Sequence, residues 1–251
     1  MSRLTEKEKL QDDNYEFPYH YIPSFDNENF SQVKTLRWGY EYLSYIRFVL
    51  EKLKTRKFES LLDVGCGDGR FLYEVSRCFS HKRLVGLDYS QRAIRHAIAL
   101  HPDIEFICGD LTDTSLLRDR FDIITLIETL EHIPPPHIRS FAKGLHYYLK
   151  GDGRLMITVP SKNVGLNPKH YQHFDLESLS GVLEPFFAIL EHYFINRMSI
   201  WTNLLERLLV NRFFILNEPH LLNKIYNSYE RYLLPAEENN AVRICAVCRK
   251  K

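Results

Sequence analysis

Short apolar runs alternate with stretches of helical period along most of the chain. Runs at residues 61–64, 84–87, 104–107, 121–127, 153–159, 186–195 and 242–248 are continuous enough for strands buried on both faces. Between them, apolar positions recur three and four apart. Phe71, Leu72 and Val75 form one such stripe, Ala93, Ile94, Ala97 and Ile98 the next, then Ile138, Phe141, Ala142, Leu145, Tyr148 and Leu149, and finally Leu176, Leu179, Val182 and Leu183. Ser90 and Asp175 stand where helix N-caps belong, and Lys150-Gly151 closes the third helix. Upstream, Leu36, Tyr40, Leu43, Ile46, Phe48, Val49, Leu50 and Leu53, mostly at helical intervals, predict a longer amphipathic helix. Strands alternating with helices predict an α/β protein: a doubly wound, mostly parallel sheet with helices on both faces.

Two stretches do not follow the alternation. Residues 1–34 are polar and irregular, with Tyr15, Phe17, Tyr19, His20, Tyr21 and Phe25 broken by Pro18 and Pro23. Such a ring-rich segment is expected to strap onto the body, with Tyr19 a candidate substrate contact. Residues 198–238 carry two helical stripes, Trp201, Leu204, Leu205, Leu208 and Leu209, then Leu221, Leu222, Ile225, Tyr226 and Tyr229, separated by Pro219. They form an insertion that is a candidate lid over the substrate opening or a homodimer contact. The expected organisation is therefore a strap and cap helix over 1–56, a core over 57–197, the insertion over 198–238, and the last strand over 239–251.

At 251 residues the chain is long enough for one full α/β core. Its 33 Lys and Arg balance 32 Asp and Glu, which leaves no electrostatic footprint for bulk nucleic-acid binding. Five cysteines, an odd number scattered through predicted core elements, favour a reducing compartment. With no signal-peptide pattern and no apolar run able to span a bilayer, the expected location is the cytoplasm. Cys245 and Cys248 do not read as a zinc knuckle, because residues three apart on a strand face opposite ways.

The chemistry concentrates at Leu61-Leu62-Asp63-Val64-Gly65-Cys66-Gly67-Asp68-Gly69-Arg70, a strand that breaks into a glycine turn and opens a helix. The free N–H groups of that helix start favour negative charge. A dinucleotide site wants Gly-x-Gly-x-x-Gly, whereas here the third glycine comes one position early and Arg70 stands where a small residue is needed. The next strand ends in Asp88, whose two oxygens suit a pair of ribose hydroxyls.

Gly-x-Gly-x-Gly after an acidic residue resembles the first motif of the class I S-adenosylmethionine-dependent methyltransferases. The likeness continues through Asp88, Gly109-Asp110-Leu111 and Glu128-Thr129-Leu130-Glu131-His132-Ile133. It implies a Rossmann-like sheet with an antiparallel last strand, an N-terminal helix near the cofactor cleft, and S-adenosyl-L-methionine as cofactor. Its cofactor-binding residues would be Asp63, Gly65, Cys66, Gly67, Gly69, Asp88, Tyr89, Asp110, Leu111, Ile127 and Glu128. In such proteins the residue at Asp110 accepts from the adenine amino group, and the backbone N–H at Leu111 faces the ring.

Glu128, Glu131 and His132 remain open to three readings. They are candidate ligands for Mg²⁺ or a similar ion, as in the ubiquinone-biosynthesis O-methyltransferases and the small-RNA 2′-O-methyltransferases that this segment resembles. Alternatively His132 is a catalytic general base, or the three groups only anchor the loop. Glu131, His170 and His173 are candidate substrate contacts, and a histidine on the later loop completes the metal site in the RNA enzymes. The expected reaction is methyl transfer to a hydroxyl of a small hydrophobic or aromatic molecule. The alternatives are 2′-O-methylation of an RNA terminus and a non-catalytic cofactor-binding subunit.

Overall fold

A computed structural model describes residues 5–12, 24–26, 29–31, 33–209, 211, 213–214, 216 and 218–251. Tyr19 lies outside the described residues. In chain order the elements are α1 (Glu6–Asp12), β1 (Ser24–Asp26), β2 (Asn29–Ser31), α2 (Val33–Lys54), β3 (Ser60–Val64), α3 (Arg70–Cys78), β4 (Arg83–Asp88), α4 (Gln91–Leu100) and β5 (Glu105–Cys108). They continue with β6 (Phe121–Ile127), α5 (Ile138–Tyr148), β7 (Leu149–Pro160), α6 (Leu176–Leu183), β8 (Phe187–Arg197), α7 (Ile200–Leu209), α8 (Pro219–Tyr232) and β9 (Ala241–Lys250).

Seven strands make one sheet in the order β5-β4-β3-β6-β7-β9-β8. The first four pairings, from β5 to β7, are parallel, and β9 runs antiparallel between β7 and β8. The expected antiparallel last strand is present, inserted between two others. Alternation along each strand splits the core into two layers. Leu62, Ile124, Ile157 and Ala246 pack with α5 and α6, while Leu61, Ile123, Met156 and Val247 pack with α2 and α3. Cys248 belongs to the first layer and Cys245 to the second, and both thiols are free, as the strand period requires.

Helix starts follow the sequence. Ser90 Oγ accepts the Ala93 N–H at 3.1 Å, and Asp175 forms a capping box with Ser178. The N-terminal stretch is less irregular than expected, since it contains α1 and a short β1–β2 hairpin. The seven residues of α1 carry no apolar period, and three-residue strands are too short for alternation to show. No helix among the described residues is long and apolar enough to cross a membrane.

The strand order reverses between β3 and β6, and loops beyond the carboxyl ends of these strands face a common crevice. That crevice is the site.

Candidate functional site

A cleft of about 740 Å³ opens at this switch point. On one side it is lined by Asp63, the turn from Gly65 to Asp68, Asp88, Tyr89, Asp110, Leu111 and Ile127. On the other are Glu128, Glu131, His132, Lys169, His170 and Arg243, with Tyr42, Tyr45 and Ile46 contributed by α2. Thr5, just before α1, also lines it. None of the described residues of the 198–238 insertion does.

The turn is tied to the neighbouring strand through its backbone. The N–H groups of Gly65 and Cys66 both donate to the Leu87 carbonyl, at 2.7 and 3.1 Å. Gly65 has φ +73°, and a Cβ there would meet Thr129 Oγ1 at 2.3 Å. Gly69 has φ +80°, and a Cβ there would meet the Phe106 ring at 2.6 Å. Both positions require glycine, for conformation and for space.

Asp88 closes the turn. Its Oδ2 accepts the Gly67 N–H at 2.9 Å and its Oδ1 the Ser90 N–H at 2.8 Å. A carboxylate has about four acceptor sites, and the backbone N–H groups of Gly67, Ser90 and Tyr89 leave capacity for a ligand. Burial pushes this carboxyl up to about 6. Asp110 accepts the Thr112 N–H at 2.8 Å, which orients the Asp110–Leu111 backbone toward the cleft. This arrangement fits a nucleoside: a carboxylate for two hydroxyls, a turn that excludes side chains, and a backbone edge for a base.

Asp63 lies deeper. It lines the cleft, but its Oδ1 accepts from Thr125 Oγ1 at 2.7 Å inside the sheet. Burial pushes it up to about 7 from an ordinary value of 3.8. The native state therefore holds this proton more tightly than the unfolded chain does. Unfolding stability of the ligand-free protein should fall as pH rises from about 4 to about 7 and level off above. Asp63→Asn keeps an acceptor for Thr125 and is expected to raise the Tm near pH 8 while flattening that slope. An unchanged Tm-versus-pH profile in the variant would mean that the fold accommodates ionised Asp63 without cost.

The second half of the cleft is built from β6 and the loop before α6. Glu128 leaves β6 with φ +50°, and its N–H donates to the Thr158 carbonyl at 3.1 Å. Glu131 and His132 follow on a single 3-10 turn. The Tyr171 N–H donates to the Glu131 carbonyl at 2.8 Å, which brings the later histidines to this turn. Ligand atoms of Glu131, His132 and His170 then lie within 4.8 Å of one another.

The hydrogen bonds set both tautomers. His132 Nδ1 faces the Lys169 carbonyl at 3.3 Å and must donate to it, leaving the Nε2 lone pair free. His173 Nδ1 donates to the Val164 carbonyl at 3.1 Å, so its Nε2 accepts from His170 Nδ1 at 2.8 Å. His170 Nε2 is consequently a lone-pair donor as well. Burial lowers His132 to about 4 and His170 to about 3, so both rings are neutral near pH 7. Glu131 is 1% exposed and its Oε2 has no hydrogen-bond partner. Burial, reinforced by the Glu128 charge, raises its pKa well above the usual carboxylate range. A buried carboxylate oxygen facing two oriented imidazoles suits a divalent cation.

Two expectations change here. His173 does not line the cleft, because both its ring nitrogens are spent orienting His170. Glu128 lines it, but its Oε2 is paired with Arg243 Nε at 3.0 Å, so it stands outside the three-residue cluster. Arg243 was not anticipated. It also donates to Asn196 at 3.5 Å and lies 4.5 Å over the Tyr45 ring. The only signal for it was a charged residue in the otherwise apolar run Val242-Arg243-Ile244-Cys245-Ala246-Val247-Cys248.

α1 bridges the two sides of the cleft. Lys7 Nζ donates to the His170 carbonyl and sits 4.5 Å over the Tyr171 ring. At its other end, Asp12 receives hydrogen bonds from Ser90 Oγ and from Arg92. The rings from Tyr15 to Tyr21, on which the expected strap rested, lie outside the described residues.

Residues 61–153 match the family described as a methyltransferase domain. Over those residues the chain has the sequence of a class I S-adenosylmethionine-dependent methyltransferase domain. The chain is 32% identical over 119 residues to a ubiquinone biosynthesis O-methyltransferase of Coxiella burnetii, covering 45% of the chain and 49% of the relative. It is 22% identical over 170 residues to a probable S-adenosylmethionine-dependent methyltransferase of Mycobacterium tuberculosis, covering 64% and 57%. The chain thus spans about half the length of the curated relatives it matches. In fold it resembles the N-methyltransferase NodS of Bradyrhizobium japonicum, solved with S-adenosyl-L-homocysteine, at TM-score 0.58 and 16% identity over 84% of this chain and 87% of that one.

Proposed function

We propose that the protein transfers a methyl group from S-adenosylmethionine to a hydroxyl oxygen of a small molecule, at an acceptor site formed by Glu131, His132 and His170. One observation carries the reading: a nucleoside-shaped turn and a carboxylate–imidazole cluster open into the same cleft. The cofactor, when bound, supplies an electrophilic sulfonium methyl. Asp88 accepts the ribose hydroxyls, Asp110 and the Leu111 N–H read the base, and the glycine turn admits the amino-acid end. Tyr42, Tyr45 and Ile46 wall the acceptor side and exclude water.

Methyl transfer to a hydroxyl requires loss of the hydroxyl proton. Glu131, His132 and His170 would hold a divalent cation that lowers the hydroxyl pKa, with His173 orienting His170. Without a cation, His132 Nε2 is the free lone pair able to take the proton. An RNA 3′ terminus is the second acceptor class, favoured by the way His170 joins the Glu-His pair and opposed by the balanced charge.

Transfer of labelled methyl from the cofactor to catechols, aliphatic alcohols, amines and an RNA 3′ end, each with and without EDTA, tests the reading. Labelling of a small hydroxyl acceptor is expected. Labelling confined to amines or to RNA would replace the acceptor class. Cofactor binding with no labelling anywhere would instead favour a non-catalytic subunit, and EDTA-insensitive labelling would assign the proton to His132.

A further inference from the structure

The insertion between β8 and β9, expected as a lid or a homodimer contact, buries Leu209 and Tyr229 but leaves Trp201, Leu204, Leu208 and Leu221 of its two stripes exposed. Eight of its large apolar side chains are 43–84% exposed. Six of them lie on α7 and α8, and at about 200 Å² for each fully exposed side chain these six present on the order of 700 Å². The largest apolar patch on a monomer is usually about 300–600 Å².

Ile200, Leu204 and Leu208 recur four apart along α7, while Leu221, Ile225 and Tyr232 share one side of α8. A groove of about 620 Å³ runs between the helices, lined by Trp201, Leu204, Leu205, Leu208, Ile225 and Tyr229 among others. A projecting apolar ridge therefore stands beside an apolar groove on one pair of helices. An isologous contact needs both on the same patch, so that each copy inserts into the other. The exposed area also matches the roughly 800 Å² that a standard interface buries per partner.

Charge argues for protein rather than lipid. Arg207, Lys224 and Arg231 interleave with Glu206, Glu218 and Glu230, and Glu230 is paired with Arg47 at 3.2 Å. An anionic membrane surface attracts a basic face, which this is not. The helices are anchored to the body from beneath by buried Leu209 and Tyr229. Tyr229 in turn accepts from Asn196 Nδ2, the residue that receives Arg243.

We propose that the α7–α8 face is the two-fold contact of a homodimer, in which the α7 ridge of each copy, led by Ile200, enters the α7–α8 groove of the other, walled by Trp201. Sedimentation equilibrium of the full chain between about 1 and 100 µM tests this, with Trp201→Glu on α7 and Tyr232→Glu on α8 as separate variants. Both side chains are well exposed, at 69% and 61%, so neither change disturbs the folded core. The expected result is a wild-type dimer with Kd near or below about 1 µM, weakened at least about 100-fold by each substitution with an unchanged circular dichroism spectrum. A wild-type monomer at the highest concentration would overturn the proposal, whether or not it co-sediments with phosphatidylglycerol vesicles. A dimer indifferent to both substitutions would overturn it too, since its contact would lie elsewhere.

Discussion

Asp88→Ala is expected to lower affinity for S-adenosylhomocysteine at least about 100-fold, because two hydrogen bonds to a charged acceptor, each worth about 1.5–3 kcal/mol, are lost. The loss has two sources. The carboxylate is the proposed acceptor for the ribose hydroxyls, and it also holds the Gly67 and Ser90 N–H groups that shape the turn. Asp88→Asn separates them, since an amide keeps one acceptor oxygen but donates where the other oxygen accepted. Its affinity should fall between wild type and alanine. Because burial holds the ligand-free carboxyl near 6, binding should also weaken as pH falls through about 6, where the group takes up its proton. Calorimetric titration of wild type and both variants across pH reads these effects. Undiminished binding by Asp88→Ala would remove the ribose role and, with it, the assignment of this half of the cleft.

The second large effect concerns the cluster. Glu131→Gln removes the one carboxyl group of the cluster with His132 and His170, and should reduce Mn²⁺ affinity at least about 100-fold in equilibrium dialysis. His173→Phe leaves all three proposed ligands in place but frees the His170 ring to rotate, and a smaller loss of about tenfold is expected. Cofactor affinity should be unchanged in both variants, because neither residue touches the glycine turn. Equal Mn²⁺ binding by wild type and Glu131→Gln would eliminate the cluster as a cation site. His132 as proton acceptor would then be the surviving role.

The strand–turn–helix at residues 60–78 is legible because every signal in it is local. An apolar run, a carboxylate, three glycines and a helical stripe fall within twenty residues, and the backbone conformation of the turn dictates the residue types. The same holds for Asp88, the last residue of its strand, and for Asp110, two residues beyond the end of β5. The α1 helix and the β1–β2 hairpin escaped notice because elements this short leave no period to read.

By itself, then, the sequence determined the α/β alternation, the ends of the strands and so the glycine-turn half of the cleft, because these depend on neighbours in the chain. Only the tertiary structure decided the rest. His170 reaches Glu131 across some forty residues through one backbone bond from Tyr171, and His173 turns from ligand candidate to support once its two ring partners are known. Arg243 meets Glu128 because β9 doubles back between β7 and β8, a pairing no local pattern encodes. The direction in which the insertion's apolar stripes face was likewise invisible: a periodicity of 3.6 says that a helix has an apolar side, but only the packing of the whole chain decides whether that side is covered.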